Sequence, residues 1–223
     1  MLTLWENTSF IMVTDFLVFL DAGHGGLDAA GHYVTAPSKQ FKHSRGTFHG
    51  DGWFYEGVWN RVLTNRVAQK LERLGVPYYL VSHEYLDTPL AQRVDVANWY
   101  ARRVEKTLYI SNHANVGGGQ ARGFEIYTSP GRTRSDVVAE MHWDHVKELF
   151  GNDIARYRED TSDGDHDKEE RFYVLTRTAM AAILVEHLFF DNFQDASQLM
   201  DDDIIDRFAE AQVRTIVRAA SVL

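Results

Sequence analysis

Short apolar runs alternate with longer amphipathic segments along the chain. Five runs have the length of buried strands, at residues 16–20, 76–82, 107–110, 123–128 and 179–185. Between and after them, apolar residues recur at helical spacing and predict helices over residues 56–74, 90–106, 134–150 and 202–220. Strands that alternate with helices are typical of a parallel sheet covered by helices. We therefore predict an α/β fold, a single layered domain with a mostly parallel central sheet flanked by helices.

Two long polar segments interrupt this alternation. Residues 27–52 contain glycine, serine, threonine and three histidines, and a loop of this length is usually functional. We expect it to lie over the carboxyl edge of the sheet. The second segment, residues 152–170, is strongly acidic and we predict a solvated loop. Its Asp163-x-Asp165-x-Asp167 pattern begins like a calcium-binding loop but lacks the required glycine and glutamate further on, at Lys168 and Val174.

Ionisable residues stand where three of the predicted strands end. His24 follows the first strand among glycines, His113 follows the third, and Glu186 follows the last. A fourth residue, Glu56, opens the helix after the long loop. Because parallel strands end at one edge of a sheet, these side chains can converge there.

Two histidines and one glutamate with an open fourth position make up a known type of catalytic zinc site. A second carboxylate beside such a site could act as general base. Spacing alone does not decide which of Glu56 and Glu186 would bind the metal. Each residue also has a structural interpretation, as a turn histidine, a helix-start charge or a salt-bridge partner.

Composition narrows the possible functions. The chain has 223 residues, of which 44% are hydrophobic and 25% charged, so it is long enough for one domain with a sizeable core. It has no cysteine, which excludes disulfides and thiolate metal sites. The net charge of −9 argues against nucleic-acid binding.

The first 14 residues lack the features of a secretory signal. They contain no lysine or arginine and no small-residue cleavage site. We interpret residues 1–14 as a poorly ordered N-terminal extension, with Met12 as an alternative initiator. No apolar run approaches the ~18 residues of a membrane span. We therefore expect synthesis in the cytoplasm without a signal peptide.

Four motifs resemble those of one enzyme family. They are Asp-Ala-Gly-His-Gly-Gly at 21–26, Tyr-Glu at 55–56, Ser-Asn-His-Ala-Asn at 111–115 and Val-Glu at 185–186. In this order they resemble the zinc-dependent N-acetylmuramoyl-L-alanine amidases of the D-[AP]-G-H-G-G type, over about residues 16–220. Two positions depart from the family pattern, Asn112 in place of an apolar residue and Leu188 in place of glycine.

The resemblance implies a site and a reaction. His24, Glu56 and His113 would bind Zn²⁺, and Glu186 would be the catalytic carboxylate. The implied reaction is hydrolysis of the amide between N-acetylmuramic acid and L-alanine in peptidoglycan by a zinc-activated water, with a glutamate general base. The partner would be peptidoglycan, through its stem peptide and muramic acid. No nucleic-acid partner and no obligate protein partner is expected.

In having no recognisable signal and no recognisable wall-binding repeat, the sequence resembles a phage or prophage lysin. We therefore expect residues 1–223 to be a single catalytic amidase domain, an endolysin that reaches the cell wall by holin-type release and contributes to cytolysis. Two alternatives stay open. One is a zinc peptidase or deacetylase that acts on another substrate. The other is a catalytically silent wall-binding module of the same fold.

Overall fold

A six-stranded sheet forms the centre of the protein. The computed structural model describes residues 15–223. Its strands are β1 (Phe16–Ala22), β2 (Gln40–Lys42), β3 (Trp53–Tyr55), β4 (Tyr78–Leu80), β5 (Lys106–Asn115), β6 (Glu125–Thr128), β7 (Lys168–Glu169) and β8 (Ala181–Phe189). The central sheet has the order β4-β1-β5-β8-β6-β7. Its strands β4, β1, β5 and β8 are parallel, whereas β6 runs antiparallel to β8 and parallel to β7.

Helices cover both faces of this sheet. They are α1 (Glu56–Leu74), α2 (Leu90–Ala101), α3 (Arg134–Phe150), α4 (Tyr173–Arg177), α5 (Phe193–Leu199) and α6 (Asp202–Val222). Alternate residues of β1 point to opposite faces. Val18 and Leu20 pack with the core of α1, α3 and α6, and Phe19 packs with that of α2 and α4. The predicted α/β layered fold with a mostly parallel sheet is confirmed.

The strands that bear the candidate site are longer than predicted. β5 and β8 continue past their apolar runs, so His113 and Glu186 lie within strands, near their carboxyl ends. Apolarity marks only the part of a strand that packs in the core, whereas pairing with neighbouring strands continues beyond it. Leu188 is buried in β8, and Asn112 is buried in β5 with its amide donating to Thr64 Oγ1 at 3.0 Å.

Both polar segments contain more structure than predicted. The first segment includes a short 3-10 turn (Pro37–Lys39) and β2, which pairs antiparallel with β3. The prediction that residues 152–170 are a solvated loop is wrong in part. This segment contributes β7, and Asp167 is only 2% exposed. The predicted extension at residues 1–14 and the alternative start Met12 lie outside the described residues.

Among residues 15–223, no helix combines the length and the apolar character needed to cross a bilayer.

Candidate metal centre

Three side chains from different elements converge at the carboxyl edge of the sheet. The potential ligand atoms of His24, Glu56 and His113 all lie within 4.8 Å of one another. His113 Nδ1 is 2.9 Å and His24 Nε2 is 3.2 Å from the same atom, Glu56 Oε1. The two imidazole rings meet nearly edge to face, with centroids 4.9 Å apart. The convergence expected from the sequence is therefore present in the fold.

The glycine-rich turn after β1 gives His24 and His113 room to approach. His24 has a φ of 65°, a left-handed conformation that is uncommon outside glycine. A Cβ atom built on Gly23 would lie 2.1 Å from His113 Cε1. Only a glycine at position 23 leaves space for the second histidine ring.

A hydrogen-bonded chain orients His113. Ser111 Oγ donates to Asp21 Oδ2 at 2.9 Å and lies 3.2 Å from His113 Nε2. Because the serine proton is committed to the carboxylate, Ser111 Oγ serves as an acceptor for His113 Nε2. The other ring nitrogen, Nδ1, is directed at Glu56 Oε1. Asp21 is itself held by buried Arg93, with 2.7 Å between Nη1 and Oδ1. Outer partners of this kind set the tautomer of ligating histidines.

Glu56 is buried at the first position of α1. Burial alone would raise its pKa, but the hydrogen bond with His113 and the contacts with His24 outweigh that effect and lower it. The carboxylate is therefore ionised. Burial lowers the pKa of His24 in spite of the opposing influence of Glu56, which favours the neutral imidazole. Metal binding requires these two protonation states.

Glu186 lies beside this group on the neighbouring strand. Its register partners are His113 in β5 and Glu125 in β6, so the three side chains share one face of the sheet. Burial, followed by repulsion from Glu56, raises the pKa of Glu186 well above its usual value. Glu186 Oε2 is buried and has no hydrogen-bond partner among the described residues. The carboxylate is thus free to engage a group that enters the site.

Sequence reasoning missed three residues near the site, two of them in the long loop. Lys39, from the 3-10 turn in the long loop, places its Nζ 3.6 Å from Glu56 Oε2. Tyr33 fixes this turn to α1, because its hydroxyl donates to the Lys39 carbonyl at 2.8 Å and accepts from the Gly57 amide at 2.9 Å. The expectation that the loop lies over the sheet edge indicated that a loop residue could contact the site. It did not indicate that this residue would be Lys39.

Arg61 was also missed. Its guanidinium donates to the carbonyls of His24 and Gly57, both at 2.8 Å. It therefore connects the histidine turn to the first turn of α1. The loop histidines have other partners: His43 contacts the Phe190 carbonyl at 2.9 Å, and His49 accepts from the Tyr55 amide at 2.9 Å.

The donor set fits a zinc ion. His24 Nε2 and Glu56 Oε2 are buried atoms without a hydrogen-bond partner in the described structure. Buried polar atoms of this kind are rarely left unpaired unless a ligand, ion or water engages them. Two imidazole nitrogens and one carboxylate are the ligands of one common type of catalytic zinc site.

Comparison with known proteins identifies the family. A family model described as N-acetylmuramoyl-L-alanine amidase matches residues 18–218, most of the chain. The chain belongs to this amidase family. The amidase CwlM of Bacillus licheniformis is 28% identical to it over 208 residues, which are 91% of this chain and 68% of the relative. The endolysin of Bacillus phage SPP1 is 29% identical over 204 residues, 90% of this chain and 64% of the phage protein.

A solved structure agrees with this family assignment. The amidase AmiC2 of Nostoc punctiforme superposes with a TM-score of 0.65 at 26% identity, covering 92% of this chain and 96% of that one. The amidase family thus accounts for the fold of residues 15–223, and its members' named activity agrees with a hydrolytic site at the edge of the sheet.

Proposed function

We propose that this amidase hydrolyses the bond between N-acetylmuramic acid and L-alanine in peptidoglycan with a zinc-activated water. In this proposal His24, Glu56 and His113 hold the metal, Glu186 is the general base, and the whole chain serves as one catalytic domain. The observation that carries the proposal is the convergence of three ligand atoms within 4.8 Å beside an unpartnered buried carboxylate. Family membership supplies the reaction class.

The mechanism follows from what each side chain can do. A zinc ion, when bound, polarises a carbonyl and lowers the pKa of a water in its open position. Glu186 accepts a proton from the attacking water and then delivers it to the leaving nitrogen. The carbon–nitrogen bond breaks, which releases a lactyl carboxylate and the free amine of L-alanine. A proton acceptor must be ionised, and the positive charge of Lys39 opposes the rise in the pKa of Glu186. A bound metal cation would add further positive charge and favour the ionised carboxylate.

The two glutamates have different surroundings, and each suits a different role. Glu56 is held in its ionised form by both imidazoles, and this suits a ligand. Glu186 has no such partner and keeps an oxygen free, and this suits a group that moves a proton. These surroundings support Glu56 as the metal ligand and Glu186 as the general base.

The products distinguish this proposal from a peptidase or a deacetylase. Purified enzyme should be incubated with cell walls and the released fragments analysed by mass spectrometry. An amidase leaves the glycan strands intact and exposes the amino group of L-alanine. Released acetate, or cleavage within the stem peptide, would contradict it. Intact walls with a zinc-loaded protein would favour the silent wall-binding module.

Glu186→Gln tests the assignment of roles. We expect turnover to fall by at least about 10²-fold, because the amide cannot accept the proton, while zinc content stays near one per chain. His113→Ala is the contrasting variant and should lose zinc as well as activity. Metal content measured by atomic emission on both proteins decides the matter. Loss of zinc from Glu186→Gln would make Glu186 a ligand instead.

A role as a phage or prophage lysin belongs to the same proposal. It is supported by the similarity to a phage endolysin over 90% of this chain. Release through a holin-type pore would bring the enzyme to the wall and lead to cytolysis. Co-expression with a holin should then clear a bacterial culture, whereas Glu186→Gln with the same holin should not.

A further inference from the structure

A second group of carboxylates lies in the segment between α3 and α4, away from the candidate zinc centre. Asp165 and Asp167 contact one another through their side chains. Asp167 is only 2% exposed, and its Oδ2 accepts a 2.5 Å hydrogen bond from Thr128 Oγ1 in β6. The other oxygen, Oδ1, is buried without a hydrogen-bond partner, and so is Oδ1 of Asp165. Two buried carboxylate oxygens in one place thus lack any donor among the described residues.

Further acidic residues surround Asp165 and Asp167 and add negative charge there. Asp136 at the start of α3 repels both carboxylates, and Asp163 and Glu140 add repulsion on Asp165. Lys168 follows directly in the chain, but its Nζ lies 2.8 Å from Glu125 Oε1. No cation among these neighbours compensates the pair. Burying a carboxylate without a partner is costly, so the pair requires either a proton or a cation.

We propose that Asp165 and Asp167 bind a calcium ion that joins the acidic segment to β6. His166 stands between them, but its Nδ1 contacts Glu140 at 2.9 Å and its ring stacks on Trp143. The available ligands are therefore oxygens, which favours a hard cation. Two carboxylates leave several positions to backbone carbonyls and water, and Ca²⁺ accepts such irregular coordination more readily than Mg²⁺ does.

This proposed site differs from the calcium-binding loop that the sequence argued against. An EF-hand loop needs glycine and glutamate at set positions, which Lys168 and Val174 do not provide. Here the ligands are brought together by tertiary structure instead, because β7 pairs with β6 and carries Asp167 against Thr128. Calcium bound there would hold Lys168 in place beside Glu125, which is the register partner of Glu186.

Calorimetric titration of the zinc-loaded protein with CaCl₂ tests this inference. We expect one calcium per chain, with a Kd of about 10⁻⁴ to 10⁻³ M. Asp165→Asn and Asp167→Asn should each abolish binding. Asp144→Asn makes the same charge change at an exposed position of α3 and should bind calcium like the wild type. If Asp167→Asn fails to fold, the less buried Asp165→Asn decides the outcome.

Denaturant unfolding gives a second, independent measurement. At a calcium concentration about 100 times Kd, the ratio of folded to unfolded protein should rise about 100-fold, and this rise should be absent in Asp165→Asn. The proposal is overturned if the wild type binds no calcium, or if Asp165→Asn binds calcium as tightly as the wild type does. The carboxyl pair would then share a proton. Neither result depends on amidase activity, so failure here leaves the proposed function untouched.

Discussion

Glu56 and Asp167 are both almost completely buried carboxylates, yet their pKa values are shifted in opposite directions. The pKa of Glu56 is lowered, because the imidazoles of His24 and His113 outweigh the effect of burial. The pKa of Asp167 is raised to about 7 by burial and by repulsion from Asp165, against the hydrogen bond from Thr128. Solvent exposure is similarly low in the two places. The neighbours decide whether the carboxylate is ionised, and hence which ligand it can accept.

The two places also differ in how they are supported. Glu56 stands at the start of the 19-residue helix α1, and His113 lies in the central strand β5. Asp167 lies in a connection whose only regular element is the two-residue β7. A site on long elements is held in position before its ligand arrives, whereas a site on a connection gains order from the ligand.

The largest effect is expected at Gly23. Gly23→Ala would place a Cβ atom 2.1 Å from His113 Cε1 and push this ring away from Glu56. Because a displacement of about 1 Å can reduce catalysis about 10²-fold, we expect at least that loss together with weaker zinc binding. Gly26→Ala is the matched control in the same turn, since its Cβ would meet nothing closer than 3.4 Å. Equal activity of the two variants would show that the turn does not hold His113 rigidly.

A smaller effect is expected at Ser111. Ser111→Ala removes the acceptor for His113 Nε2 and frees the ring to choose another tautomer. We expect zinc affinity to fall about 10- to 100-fold, measured by competition with a chelator. Tyr109→Phe is the control, because its hydroxyl donates to the same Asp21 but does not contact the histidine. If both variants lose affinity equally, Asp21 acts through packing and not through the serine.

The smallest effect concerns the dependence of stability on pH. With a pKa of about 7 in the folded state and a lower one when unfolded, Asp167 keeps its proton longer in the folded protein. The folded state therefore binds more protons between pH 4 and 7, and its stability falls as pH rises through this window. Without calcium, wild-type protein should lose stability from pH 5 to pH 8 relative to Asp167→Asn, by denaturant titration. Parallel curves would show that Asp167 does not retain its proton in the folded state.

Bound calcium should offset this loss of stability at higher pH. Since a cation replaces the proton on the carboxyl pair, its affinity should increase as pH rises from 6 to 8. Titrations at the two pH values measure this directly. A calcium affinity that is independent of pH would place the ion elsewhere on the acidic surface.

The fold was predictable because its signals are local. Continuous apolar runs identified the main strands, and apolar residues at helical spacing identified the long helices, because both patterns follow directly from which positions are buried. The short elements α4, α5 and β7 were not predicted, because they are stabilised by contacts with distant residues. The ends of β5 and β8 were placed too early for the same reason, since polar side chains there face a site that the sequence does not display.

The sequence alone supplied the residue types of the candidate centre, because His24, His113 and Glu186 each end an apolar run and Glu56 opens a helix. Tertiary structure brought their atoms together and distinguished the surroundings of the two glutamates. It alone revealed Lys39, and it alone buried Asp167 in a segment whose composition predicted solvent exposure. The physical reason is that composition records the charge of a residue, whereas its pKa and its ligand depend on the neighbours that the fold assembles.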